Sequence, residues 1–129
     1  MTIDQAKKYK VWAVLGATAR KEKFGYKIYK HMKDMGYRVY AVNPNVKEID
    51  GDPCYTSLSQ VPDTLDMVDF VVPERVGKEA VSECKQLGVK GLWLQPGADK
   101  PSVVAEADTL GMPYIKDCVL VQIKTPYKA

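Results

Sequence analysis

The sequence predicts one α/β domain in which five parallel strands form a doubly wound sheet, with helices on both faces in three αβα layers. Two observations carry this reading. Short apolar runs rich in β-branched or aromatic residues recur along the 129 residues, and buried parallel strands read as such unbroken runs. Between the runs lie stretches of helical spacing, so strand and helix alternate about every two dozen residues. The length suits a single domain. A composition of 46% hydrophobic and 27% charged residues is that of an ordinary globular chain and excludes a disordered, collagen-like or coiled-coil protein.

In chain order, the predicted strands are Val11–Leu15, Val39–Val42, Met67–Val72, Leu92–Leu94 and Met112–Ile115. The first helix places Phe24, Ile28, Met32 and Met35 on one face, with Lys23, Lys27, Lys30, Lys33 and Asp34 elsewhere, and stops at Gly36. Val76, Ala80, Cys84 and Leu87 repeat the pattern before Gly88. A third helix starts with Ser102 as N-cap after Pro101 and runs through Val103, Ala107 and Leu110 to Gly111. Thr56–Val61 is a weaker helical stretch. From Val119 onward the chain reads equally as a strand, a terminal helix or an extended tail. The whole is a Rossmann-like arrangement spanning residues 1–129 as one domain.

Charge is unevenly spread. Residues 1–47 carry eleven basic side chains against three acidic ones, although the whole chain is only +3. A small anionic partner fits this better than nucleic acid, which meets basic residues across a whole face. Solvated surface is the alternative. The three cysteines, Cys54, Cys84 and Cys118, have no CxxC spacing, which argues against a zinc site or a disulfide framework. The apolar run after the first lysines is too short for a secretion signal, and no segment approaches the roughly 18 apolar residues of a membrane span. The expected compartment is the cytoplasm, with no membrane partner.

In a doubly wound sheet the ligand lies beyond the carboxyl ends of the strands. The first end reads Gly16-Ala17-Thr18-Ala19-Arg20-Lys21-Glu22-Lys23-Phe24-Gly25 and leads into a helix. Gly16 permits a tight turn, the helix N-terminus directs amides at an anion, Thr18 adds a hydroxyl, and Arg20 and Lys23 add positive charge. A plain turn with solvated lysines is the alternative. The dinucleotide pattern GxGxxG is absent, and the second strand ends in Asn43-Pro44 rather than the acid that holds an unphosphorylated ribose. With Lys47 nearby, a ribose that itself bears a phosphate fits better. NADP and coenzyme A both meet that description.

Several strings then resemble a known family. They are Trp12-Ala13-Val14-Leu15-Gly16-Ala17-Thr18, Lys23-Phe24-Gly25, Gly36-Tyr37-Arg38-Val39-Tyr40-Ala41-Val42-Asn43-Pro44, Glu48-Ile49-Asp50-Gly51, Cys54-Tyr55-Thr56-Ser57-Leu58, Val68-Asp69, Leu92-Trp93-Leu94-Gln95-Pro96-Gly97 and Asp117-Cys118. In order and with few gaps, they resemble the small stand-alone CoA-binding proteins, whose fold is similar to the CoA-binding domain of the succinyl-CoA synthetase alpha subunit. The chain departs from the common pattern at Thr18, where serine is usual, and after Cys118. The resemblance implies a coenzyme A site. Gly16, Ala17 and Thr18 would lie under the pyrophosphate, with Arg20, Lys23, Phe24 and Gly25 closing over it. Asn43 and Pro44 would border the adenosine, with Lys47 beside its ribose phosphate. Val72 and Pro73 would form an apolar wall, and Gln95 and Gly97 would face the pantetheine arm.

No catalytic set is expected. His31 is the single histidine and reads as a surface or half-buried helix residue, so Ser-His-Asp and Cys-His sets cannot be assembled. The acids read as scattered over turns and helix faces. Cys118 is the one reactive candidate: a thiol at the pantetheine end could exchange with CoA disulfide, and a small buried apolar side chain is the alternative. Tyr26, Tyr29, Tyr37 and Tyr40 read as helix–strand packing rather than as a base-stacking platform. The expected function is binding of coenzyme A or a short acyl-CoA, as a carrier, a sensor or a subunit of a larger assembly, with a homodimer plausible. The alternatives are an NADP-dependent oxidoreductase or reductase subunit, and a non-catalytic subunit of a CoA ligase or acyltransferase.

Overall fold

A computed structural model describes all of residues 1–129. Its elements, in order, are α1 (Ile3–Lys7), β1 (Val11–Leu15), α2 (Phe24–Asp34), β2 (Arg38–Val42), β3 (Glu48–Ile49), β4 (Asp52–Tyr55), a 3-10 turn (Leu58–Gln60), β5 (Met67–Phe70), α3 (Glu74–Gln86), β6 (Gly91–Leu94), α4 (Pro101–Leu110), β7 (Tyr114–Lys116) and α5 (Val119–Gln122). The five expected strands are all present and parallel, and the sheet reverses its strand order beside β1, as a doubly wound sheet does. The count is corrected from five to seven strands, in the order β3-β4-β2-β1-β5-β6-β7.

The two additional strands form a short hairpin at the β2 edge. β4 runs parallel to β2 through Ala41–Cys54 and Val42–Tyr55, and β3 returns antiparallel to β4. Asp50 and Gly51 form the tip with φ of 50° and 85°, the backbone of a tight hairpin turn, for which Asp-Gly is the usual pair. Neither strand carries an apolar run, and Pro53 is tolerated because the pairing of β4 with β2 begins only at Cys54, so its missing N–H is not needed on that side. Contacts with α2 hold the hairpin in place. The Tyr26 hydroxyl donates to Asp50 at 2.6 Å, the Tyr29 hydroxyl donates to Asp52 at 3.0 Å, and Lys33 pairs with the same Asp52 carboxylate. The tyrosines are therefore packing residues with pinned hydroxyls. Tyr37 likewise donates to the Lys7 carbonyl at 2.8 Å, and Tyr40 to Asp63 at 2.9 Å.

Two apolar layers flank the sheet. One joins Trp12, Val14, Met67 and Trp93 to Ile28, Met32, Val119 and Ile123; the other joins Ala13, Val68, Phe70 and Leu92 to Ala80, Val81, Cys84, Val103 and Ala107. The helix faces are rotated slightly from expectation. α2 buries Tyr26, Ile28, Tyr29 and Met32, whereas Phe24 at its first position is 63% exposed, and Val76 and Leu87 at the two ends of α3 also emerge. The third helix begins two residues earlier than expected: Lys100, not Ser102, is the N-cap of α4 and Pro101 its first residue. This is the favoured place for proline, whose missing N–H has no partner there in any case. Ser102 instead donates from its hydroxyl to Glu74 at 2.6 Å, tying α4 to α3. Gly111 closes α4 in the left-handed conformation.

The tail resolves into the short helix α5 followed by an extended segment. His31 is half-buried, and its Nε2 lies 2.6 Å from the Ile123 carbonyl. The Tyr127 amide donates to the Met35 carbonyl at 2.7 Å. No helix is long and apolar enough to cross a membrane.

Candidate functional site

The site is built around the turn that follows β1. Gly16 has φ of +98°, and a Cβ there would run into the Val71 carbonyl and the Val72 side chain. Gly25, the second residue of α2, faces back onto this turn, where a Cβ would strike the Gly16 carbonyl oxygen. Two absent side chains therefore bring the start of α2 against the end of β1. Lys23 is the N-cap of α2 without a side-chain cap, and the first turn holds no acid. The Phe24 and Gly25 amides thus keep the free donors and partial positive charge of a helix N-terminus. Gly16, Thr18, Arg20, Lys23, Phe24, Gly25 and Val71 together surround a cleft of about 410 Å³. The Thr18 oxygen accepts from the Arg20 amide at 3.3 Å, which leaves its hydroxyl proton available. Arg20 is exposed and paired with Glu22 at 3.0 Å, which leaves Lys23 as the unpaired cation of this cleft.

Two further clefts continue from the first. Val71, Val72, Pro73, Gln95, Pro96, Gly97 and Ala98 line about 280 Å³, and Phe24, Ile28, Val71, Gln95, Pro96 and Cys118 line about 180 Å³. All three meet at Val71, and they open at the carboxyl ends of β1, β5 and β6. A separate recess of about 380 Å³ lies on the α3 side, where Pro44 and Leu58 face Val76 and Ala80. A larger cleft, about 550 Å³, is at the opposite, amino-terminal ends of the strands, among Lys7, Lys8, Tyr37 and the tail. Size alone would mislead here, because ligands of such sheets gather at the carboxyl ends.

The structure brings most of the expected residues together. Gly16, Thr18, Arg20, Lys23, Phe24 and Gly25 share one cleft, and Val72, Pro73, Gln95 and Gly97 share the next. Ala17 is fully buried beneath the turn. Asn43 turns its side chain inward: its amide donates to the Ala17 carbonyl at 2.9 Å and its oxygen accepts from the Asn45 amide at 2.9 Å. It therefore braces the turn. Lys47 is exposed on the outer hairpin, level with Cys54, whose amide donates to the Lys47 carbonyl at 2.9 Å, and it lines none of these clefts. Cys118 is half-buried in the smallest cleft beside Gln95.

Sequence reasoning missed Val71, the common floor. Period-two alternation from Met67 through Asp69 would have placed it on the α2 face. The recess residues Leu58, Val76 and Ala80 carry no local signal. Asp69 is a correction of another kind. It lies in the middle of β5, fully buried, with both carboxylate oxygens lacking a hydrogen-bond partner, and burial pushes its pKa well above the carboxylate range. It sits between Val14 and Trp93, one step below Val71, not on a turn or a helix face.

With this geometry in view, comparison with known proteins is decisive. Residues 10–124 match the family described as CoA binding domain. The chain belongs to that family. An ADP-forming acetate–CoA ligase I of Archaeoglobus fulgidus is 42% identical over 82 residues, which are 64% of this chain and 12% of the ligase. The CoA-binding chain thus spans only about an eighth of that relative. A hypothetical protein from Pyrococcus horikoshii OT3 superposes with a TM-score of 0.86 at 28% identity, over 95% of this chain and 89% of its own. The dinucleotide forming acetyl-coenzyme A synthetase 1 of Candidatus Korarchaeum cryptofilum gives a TM-score of 0.73 at 26% identity, over 88% of this chain and 27% of that one.

Proposed function

We propose that this CoA-binding domain holds coenzyme A or a short acyl-CoA and acts as a carrier, a sensor or a subunit of a larger assembly, without catalytic groups of its own. The observation that carries the reading is the uncapped start of α2 pressed against the Gly16 turn by Gly25, with Lys23 beside it. That arrangement suits a diphosphate. The clefts running from it along Val71, Val72-Pro73 and Gln95-Gly97 suit the pantetheine arm, and the recess at Pro44, Leu58 and Val76 suits the adenine. Family membership and the ligase relatives support the same ligand. In the ligase relatives the matching region is a small part of a much longer chain, which supports a role beside a further domain or partner that supplies the chemistry.

Titration calorimetry with CoA, dephospho-CoA and NADPH tests the reading. Binding of CoA in preference to NADPH is expected, and the reverse preference would replace this reading with the reductase one. A deficit for dephospho-CoA would show that the ribose phosphate is held, and loss of that deficit in Lys47→Ala would assign the contact to Lys47, whereas equal binding would remove that role.

Lys23→Ala is expected to weaken CoA binding about tenfold at low ionic strength, the scale of one charge-assisted phosphate contact. It should also flatten the salt dependence, since screening acts on that contact. Unchanged low-salt affinity would place Lys23 outside the site.

A further inference from the structure

We infer that the 180 Å³ cleft is an acyl pocket, selecting neutral acyl thioesters of about four to six non-hydrogen atoms over free CoA and over acyl groups that end in a charge. The inference rests on the reading above. Phe24, Ile28, Val71 and Pro96 form its apolar walls, with Gln95 and Cys118 as its only polar members and no charged side chain. A terminal carboxylate would enter without a cation to meet it, and burying an unpaired charge is heavily penalised. The volume equals about six waters at roughly 30 Å³ each, which sets the size limit.

Position selects the occupant. Phe24 and Val71 are shared with the anion cleft, and Val71, Gln95 and Pro96 are shared with the cleft assigned to the pantetheine arm. A chain whose diphosphate lies at the Gly16 turn thus delivers its thiol end to the junction at Gln95. Gln95 is 4% exposed. Its Oε1 is occupied by the Val119 amide at 3.0 Å, while its amide nitrogen has no acceptor in the chain. A donor that has no protein partner and still reaches solvent at the neck of an apolar pocket matches a thioester carbonyl whose alkyl group continues inward. Phe24, exposed despite its size, gains cover from the same alkyl group.

The test is a titration of the intact protein with CoA, acetyl-CoA, butyryl-CoA, octanoyl-CoA and succinyl-CoA. Affinity should rise about tenfold from CoA to butyryl-CoA, as expected for burying a few methylenes. It should fall again at octanoyl-CoA, and succinyl-CoA should bind no tighter than CoA. Ile28→Phe, which enlarges a core side chain that lines this cleft and none of the others described, should move the optimum from butyryl-CoA to acetyl-CoA. If that variant does not fold, the wild-type series still decides. A flat series, or succinyl-CoA as the tightest ligand, would overturn the acyl pocket while leaving CoA binding intact. Failure of every member, CoA included, would overturn the proposed function and the pocket with it.

Discussion

Replacing Gly25 by alanine is expected to weaken coenzyme A binding about a hundredfold or more. The added Cβ would meet the Gly16 carbonyl oxygen and come within 3.3 Å of the Thr18 methyl. The obstacle is backbone, held by the Gly16 amide donating to the Val42 carbonyl at 2.9 Å and by the Asn43 brace on Ala17, so it cannot swing aside. The start of α2 must lift, and the Phe24 and Gly25 amides recede from the anion together with Lys23. Gly25 has an ordinary helical φ, since it is absent from the glycines with positive φ, and alanine is intrinsically the better helix former by about 1 kcal/mol. Any loss therefore reports close approach rather than backbone preference. Overpacking of this kind costs about 1–3 kcal/mol in stability, which thermal unfolding of the free protein would read beside the calorimetry. Lys30→Ala, on the exposed face of the same helix, is the control. Affinity within twofold of wild type would show that the turn and α2 do not grip the ligand.

Asp69→Asn is expected to stabilise the protein at neutral pH and above, and to have little effect near pH 4. The direction follows from linkage. Burial raises the folded-state pKa of Asp69 well above its usual value, whereas the unfolded chain titrates at about 3.9. Below the unfolded value both states are protonated and the carboxyl imposes no pH-dependent cost. As pH rises through the interval up to the folded pKa, the unfolded state sheds its proton first. Stability then falls by about 1.4 kcal/mol per pH unit. Asparagine has the same shape without the proton, so its advantage should grow with pH across that interval. Urea unfolding of both proteins between pH 4.5 and 8 measures it. Parallel stability curves would mean that Asp69 ionises in the fold and that its oxygens find partners.

Legibility from sequence follows how local each feature is. The run Val11–Leu15 coincides with β1, because a central strand is apolar on both faces and interrupts its own pattern only where it leaves the core. Gly16 and Gly111 were legible because each ends an element at a positive φ. The β3–β4 hairpin was not. Its strands are two and four residues long, and two of its carboxylates are held by tyrosines more than twenty positions earlier in the chain. The start of α4 was misplaced because serine and proline are both starting signals, and the hydroxyl of Ser102 found Glu74 on another helix. The site was legible at its anion end, where turn and helix start are contiguous, and illegible at Val71, Ile28 and Leu58, which reach their clefts only after folding.

By itself the sequence determined the alternation of strand and helix, the glycines at the first turn and the excess of positive charge near it, since each depends on residues within one or two turns of chain. Only the tertiary structure decided that α2 docks on Gly16, that the Asn43 side chain braces the turn, that Lys47 stands apart from the clefts and that Asp69 is sealed in the core. Those outcomes depend on which strands lie side by side, and strand neighbours are set by contacts between residues dozens of positions apart.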